Sequence, residues 1–454
     1  MKKKTKALIA VAVCAVIIIA AIIVVLSLKR GDQPSSHVDN PGGMKTVTAA
    51  YPEQAFKTMS AQEFLEGMDH MEWMNSYREL LTKSLSVQQE MTHYYTAMMP
   101  QLLTAENENT VCSPLNTYIA FAMLAEVSGG NTRRQILDML GAADIDTLRN
   151  NVSALWESNY VDTPILKSVL ANSLWLNNRI NYKEATLNVL AEQYYASSFS
   201  GTPASSEMDN ALRKWTDDHT GGLLSEYTKD MSTDPEMMLE ILSTIYFQAM
   251  WMEEFQESRT TQETFHGTAG DTTVDMMHQD ASMSVYHTDQ FTAVGLSLID
   301  SGSMYFLLPD EGVDVNALAG DPAIVKIAQY DIDDENWAYP LVHLSVPKFK
   351  VSGKIDLIDA VRSLGVTDAL DYTIADFTPL TSDRDDIYLN KAEHAAMIEI
   401  DEHGVIGAAY TELALAGAGM TEEEIDFVLD RPFLFLVTSR DGSILFAGVV
   451  RNME

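Results

Sequence analysis

Residues 399 to 418 read Glu-Ile-Asp-Glu-His-Gly-Val-Ile-Gly-Ala-Ala-Tyr-Thr-Glu-Leu-Ala-Leu-Ala-Gly-Ala, passing from an alternating strand pattern into a run of small side chains. A run made mainly of Gly, Ala, Thr and Val has too little apolar area to hold itself down, so by itself it is an exposed loop. Alternation gives it a second accessible state. As a strand, it would place Val405, Gly407, Ala409, Thr411, Leu413 and Leu415 on one face, and Ile406, Ala408, Tyr410, Glu412 and Ala414 on the other. The face to be buried is small and uncharged, so what this segment can do is change from exposed chain into sheet. An ordinary Gly/Ala surface loop is the competing reading. Spacings that carry catalysis are missing: there is no Gly-x-Ser-x-Gly, His-Glu-x-x-His or Walker loop. The acidic clusters 331–335 and 383–386 lack the glycine and terminal Glu of a calcium loop and read as solvated surface. No metal or cofactor is expected, and the chain reads as a non-enzyme.

The elements that must position such a segment belong to one mixed α+β domain from about residue 84 to 454, with helices early and strands late. Ser113-Pro114 supplies a cap and a first-turn proline for a helix whose residues, Leu115 through Val127, are apolar on nearly all sides and therefore buried. Gly129-Gly130 is expected to end it, and a further helix over 131–140 to close at Gly141. Met238 to Phe247 is a long, mainly apolar run, typical of a central strand covered on both faces. Phe433 to Val437 and Ile444 to Val450 pair across Asp441-Gly442 as a hairpin. Cys14 and Cys112 are too few and too differently placed for a disulfide framework, so stability must come from packing.

Several ordered motifs resemble the serpin family over residues 84 to 454. They include Asn109-Thr-Val-Cys-Ser-Pro-Leu115, Gly130-Asn-Thr-Arg-Arg-Gln135, and Trp215 with Thr220 and Gly221. Ile245-Tyr246-Phe247, Trp251 and Phe255 follow, then Pro347-Lys348-Phe349, Ala375-Asp376-Phe377, His394 and Pro432-Phe433. Against this pattern the small-residue run resembles the family's reactive-centre loop, about 404–431, with a hinge of Glu402, Gly404, Val405, Gly407, Ala408, Ala409 and Thr411. Val405, Ile406 and Tyr410 depart from the usual hinge types, but Val405 is still small and uncharged. Ser113, Asn116, Ser243 and His394 match the polar cluster beneath the large sheet known as the shutter, with Ser243 standing where the family has Asn. A buried polar cluster must be internally hydrogen-bonded, so it can exchange partners as the sheet parts.

The resemblance implies a large central mixed sheet with further sheets, and a monomeric suicide-substrate inhibitor of serine, or alternatively cysteine, endopeptidases. Cleavage of the exposed loop would be followed by its insertion into the sheet, trapping the covalent acyl-enzyme. Ala418-Gly419 is the expected reactive bond, with Met420-Thr421 as runner-up. No Lys or Arg occurs between Lys391 and Arg431, so the bait suits elastase-like or subtilisin-like enzymes with shallow apolar pockets. The alternative is a non-inhibitory member of the fold serving as a surface binding or adhesion module.

Lys2, Lys3, Lys4 and Lys6 precede an uncharged apolar run from Ala7 to Leu28, followed by Lys29 and Arg30. That length crosses a bilayer as a helix and lacks a small-x-small exit, so residues 1–30 are expected to form an uncleaved signal anchor with the body extracytoplasmic. Cleavage would instead make the protein secreted. Residues 31–50, rich in Gly, Pro and Ser, read as a flexible tether, and 51–83 as a helical extension packed on the body. Without the six basic residues of the first thirty, 24 basic residues face 65 acidic ones, a formal charge of about −41. Such a surface repels nucleic acid and keeps the body soluble.

Overall fold

The computed structural model describes residues 37–39, 44–52, 59–223, 225–331, 334–389, 391–405 and 423–453. Helices dominate the first half and strands the second, as the α+β reading expects. Ser60 opens the helical part with a reciprocal capping box, its hydroxyl accepting from the Glu63 amide while the Glu63 carboxylate accepts from the Ser60 amide. A helix over Met68–Leu103 then runs unbroken past residue 83. Across the expected boundary between extension and body at 83/84, Tyr77, Val87, Met91 and Tyr94 along this one helix all lie in the same core. Ser113 caps the next helix, Pro114–Val127, and almost every side chain of that helix is buried. It stops at Ser128, and Gly130 begins the following helix, Gly130–Leu140, rather than ending the first. Gly141 closes that second helix in the left-handed region that favours glycine.

Three sheets form among the described residues. Nine strands make the largest, whose order from one edge is His37–Asp39, Lys45–Val47, Ala196–Gly201, Leu166–Asn177, Leu239–Met250, Gly404–Val405, Glu393–Ile400 and Phe349–Asp356, with Val161–Asp162 paired to Leu166–Asn177. It is mixed, because Leu166–Asn177 and Ala196–Gly201 run parallel while the neighbouring pairs are antiparallel. The apolar run read as a central strand extends from Leu239 to Met250, three residues beyond expectation, because Gln248 to Met250 keep their ladder with Leu166 and Lys167 on one side or with Gly404 on the other. A seven-stranded sheet contains the hairpin of Phe433–Thr438 and Ile444–Val450, and a four-stranded sheet carries Glu424–Val428 at its edge.

The large sheet is covered on both faces. Helix Pro114–Val127 lies beneath it, contacting the side that carries Ser243 and His394. On the other face helix Ser206–His219 packs Met208, Leu212 and Trp215 against Ala171, Trp175 and Leu242. Met44 joins this second cluster, and Lys45–Val47 adds a strand to the edge at Ser198–Ser200. The tether expected over 31–50 is corrected here. Residues 37–39 and 45–47 are strands, because the edge at Ala196–Gly201 offers unpaired backbone groups and Met44 and Val47 have apolar surface to bury against it.

The expected anchor over 7–28, with Cys14, lies outside the described residues. Among the described residues no helix is long and apolar enough to cross a membrane. The expectation of a membrane-anchored body is corrected on that finding and is not carried further.

Candidate functional site

The chain leaves strand Glu393–Ile400 through a tight turn. Asp401 builds it: its carboxylate accepts from the amides of His403 (2.9 Å) and Gly404 (3.2 Å), while its own amide donates to the Gly404 carbonyl (3.1 Å). Neighbouring chain grips the turn from outside. The Trp251 amide donates to the His403 carbonyl, the Phe255 amide to that of Glu402, and the Trp251 indole to that of Asp401. Trp251 and Phe255, part of the motif that follows Ile245-Tyr246-Phe247, are thus the wall against which the turn is built. Glu402 is buried, and burial alone would raise its carboxyl. The Lys348 ammonium at 2.9 Å and the Thr260 hydroxyl at 2.8 Å outweigh that and hold it below the usual value.

From this turn Gly404–Val405 enters the sheet as a two-residue strand. Val405 lies opposite Ala249 on one side and Ile400 on the other, and is 0% exposed. Gly404 is dictated by space: a Cβ there would stand 2.2 Å from the Ala249 carbonyl oxygen. Directly opposed residues share a face, so Val405 points with Ala249, Phe247, Ile245 and Ser243 toward helix Pro114–Val127. Below Val405, no ladder joins Leu239–Met250 to Glu393–Ile400 among the described residues. The two strands face each other across a narrow slot, and a small cleft of about 20 Å³ lies there, lined by Phe121, Leu124, Ile241, Ser243, Ala392 and His394.

All four residues expected beneath the sheet meet at this slot. The Ser113 hydroxyl accepts from the Asn116 amide, and the Ser113 amide donates to His394 Nε2 at 2.8 Å. His394 Nε2 is therefore an acceptor, which requires a neutral ring, and complete burial lowers its pKa to about 4. Ser243 donates to Asn172 Oδ1 at 2.8 Å and to the Asn116 carbonyl at 3.3 Å. Asn172 is a member that sequence reading missed. It lies on the neighbouring strand, directly opposite Ser243, and only that register reveals it. The Asn116 side-chain amide is fully buried and has no hydrogen-bond partner among the described residues. Of the expected hinge, Glu402 lies in the turn and Gly404 and Val405 in the short strand. Gly407, Ala408, Ala409 and Thr411, and the expected reactive bond at Ala418, Gly419, Met420 and Thr421, lie outside the described residues.

Comparison with known proteins gives this arrangement a family. The sequence model described as serpin (serine protease inhibitor) matches residues 89–453. Serpin-ZX of Arabidopsis thaliana is 28% identical over 362 residues, spanning 76% of this chain and 92% of its own. The native stressed conformation of Arabidopsis AtSerpin1 superposes with a TM-score of 0.70 at 27% identity, over 82% of this chain and 98% of that one. Human thyroxine-binding globulin shares the fold, with a TM-score of 0.69 at 23% identity over 81% of this chain and 99% of its own. The matched family is one of protease inhibitors rather than of enzymes. From residue 89 to residue 453, with its slotted sheet and the short strand seated in one end of the slot, the chain belongs to the serpin family.

Proposed function

We propose that the protein is a suicide-substrate inhibitor of serine endopeptidases, with elastase-like or subtilisin-like enzymes as its targets. One observation carries this reading: a slot in the large sheet begins with two residues of the hinge already paired in it. The register set by Val405 extends downward in a simple way. Gly407 would fall between Phe247 and Ile398, Ala409 between Ile245 and Ala396, and Thr411 between Ser243 and His394. Small residues thus meet the helix-facing side, and the one hydroxyl arrives above the buried Asn116 amide that has no described partner. Ile406, Ala408 and Tyr410 would face the other way, where helix Ser206–His219 covers the sheet.

Attack of the protease serine on the Ala418 carbonyl forms the acyl-enzyme and releases Gly419 as the new amino terminus. Residues 405–418 then span about 45 Å as a strand, enough to carry the tethered enzyme along the sheet before water cleaves the ester. New ladder hydrogen bonds and buried side chains drive this step, so the intact form must be the less stable of the two.

The test is to incubate the full chain with elastase, subtilisin and trypsin and look for complexes that survive denaturing electrophoresis. Calorimetry of the loop-cleaved protein is the companion measurement. Elastase or subtilisin complexes with a sharply raised thermal midpoint are expected. An unchanged midpoint after quantitative cleavage would point to a binding module that uses the fold without inhibition.

A further inference from the structure

The slot is bridged at its lower end by charge. Glu240, on strand Leu239–Met250, points to the face opposite Ser243 and is 4% exposed beside Trp175. Its Oε1 lies 3.1 Å from the Nζ of Lys391, which stands at the foot of strand Glu393–Ile400 on the far side of the slot. Lys391 also contacts Glu393 at 3.0 Å, and Glu393 meets Lys354 of the next strand at 2.8 Å. Of these three ion pairs among the described residues, Glu240–Lys391 is the one that crosses the slot. Those to Glu393 join groups that would move together, because Phe349–Asp356 and Glu393–Ile400 are paired along their whole length.

We infer that the Glu240–Lys391 ion pair is a clasp that holds the lower slot shut and so sets how readily the sheet accepts a further strand. This rests on the insertion reading above. Continuing the same register, residue 414 would lie between positions 240 and 391. An intervening strand sets the two backbone edges two strand spacings apart, about 9.6 Å, and the contact then survives only with both side chains fully stretched over that strand. The Glu240 carboxylate has just one oxygen partnered among the described residues. Losing Lys391 would leave a buried carboxylate with no cation against it, and that cost falls on opening.

Four variants of the full chain test this: Glu240→Gln, Lys391→Met, their double, and Lys354→Met as a control on one side of the slot. Each is measured intact and after loop cleavage, for thermal midpoint and for the rate at which the intact protein loses trapping activity on warming. Glu240→Gln and Lys391→Met should each lower the intact midpoint and speed the loss about tenfold, with cleaved midpoints unmoved. The double should be no worse than either single, and Lys354→Met should lower both forms alike. If Glu240→Gln does not fold, Lys391→Met reads the same contact from its more exposed side. A wild-type rise on cleavage with equal losses in both forms of the variants overturns the clasp alone. A wild-type midpoint unmoved by cleavage overturns the insertion reading and the clasp with it.

Discussion

Val405→Arg separates the intact protein from the inserted one. In the intact molecule Val405 is fully buried between Ala249 and Ile400, so its burial is worth at most about 1.5–3 kcal/mol. The variant need not unfold to relieve the clash, because the two-residue strand can withdraw from the slot and take the guanidinium to water. Insertion has no such escape. Position 405 must enter ahead of every later residue, its neighbours Ala249 and Ile400 are apolar, and no carboxylate lies opposite it to pair with the charge. Burying an unpaired guanidinium costs several kcal/mol. If only about 3 kcal/mol of this reaches the insertion barrier, insertion slows on the order of a hundredfold, and hydrolysis of the acyl-enzyme overtakes it. The assay is the number of loops cut per elastase molecule trapped, followed by denaturing electrophoresis and release of the C-terminal peptide. Cut loop per trapped enzyme should rise on the order of ten- to a hundredfold while covalent complex fades. Unchanged stoichiometry with an undiminished complex would refute the buried direction of Val405.

Three further outcomes follow from the same geometry. Gly404→Ala places a methyl 2.2 Å from the Ala249 carbonyl oxygen, so it should expel the short strand and lower the intact thermal midpoint, an effect of about 1–3 kcal/mol readable by calorimetry. His394 is neutral in the fold, with a pKa lowered by burial to about 4 from 6.5; the unfolded chain therefore binds the extra proton, and stability is full above pH 6.5 and lost as pH falls toward 4. That loss is roughly 3 kcal/mol, and denaturant titrations of His394→Gln should show a shallower fall over the same window. Mass spectrometry of the peptide released by a trapped elastase should find it beginning at Gly419 or Thr421, and trypsin should trap nothing, because no Lys or Arg lies between Lys391 and Arg431.

Local chemistry accounts for what could be read directly from the residues. Ser113-Pro114 specifies a capped helix start wherever it is placed, and an apolar surface all round the following residues requires burial. Asp441-Gly442 specifies a hairpin, and Gly442 does take the positive φ that the turn demands. Alternation from residue 405 onward likewise assigns Val405 to a face without reference to any partner. Tertiary structure decided what depends on residues far apart in the chain. Residues 45–47 became a strand because a sheet edge at 198–200 was there to receive them. Asn172 joined Ser243 through a register spanning 71 positions, and Glu240 found Lys391 across 151. Periodicity reports which side of an element is apolar, since that is a property of neighbouring residues. It carries no information about which edges are left open, and an open edge exists only once strands from distant parts of the chain have stacked on either side of it. The slot below Val405 is such a feature: a run of small residues suggests that something is to be filled, and only the assembled sheet supplies the place.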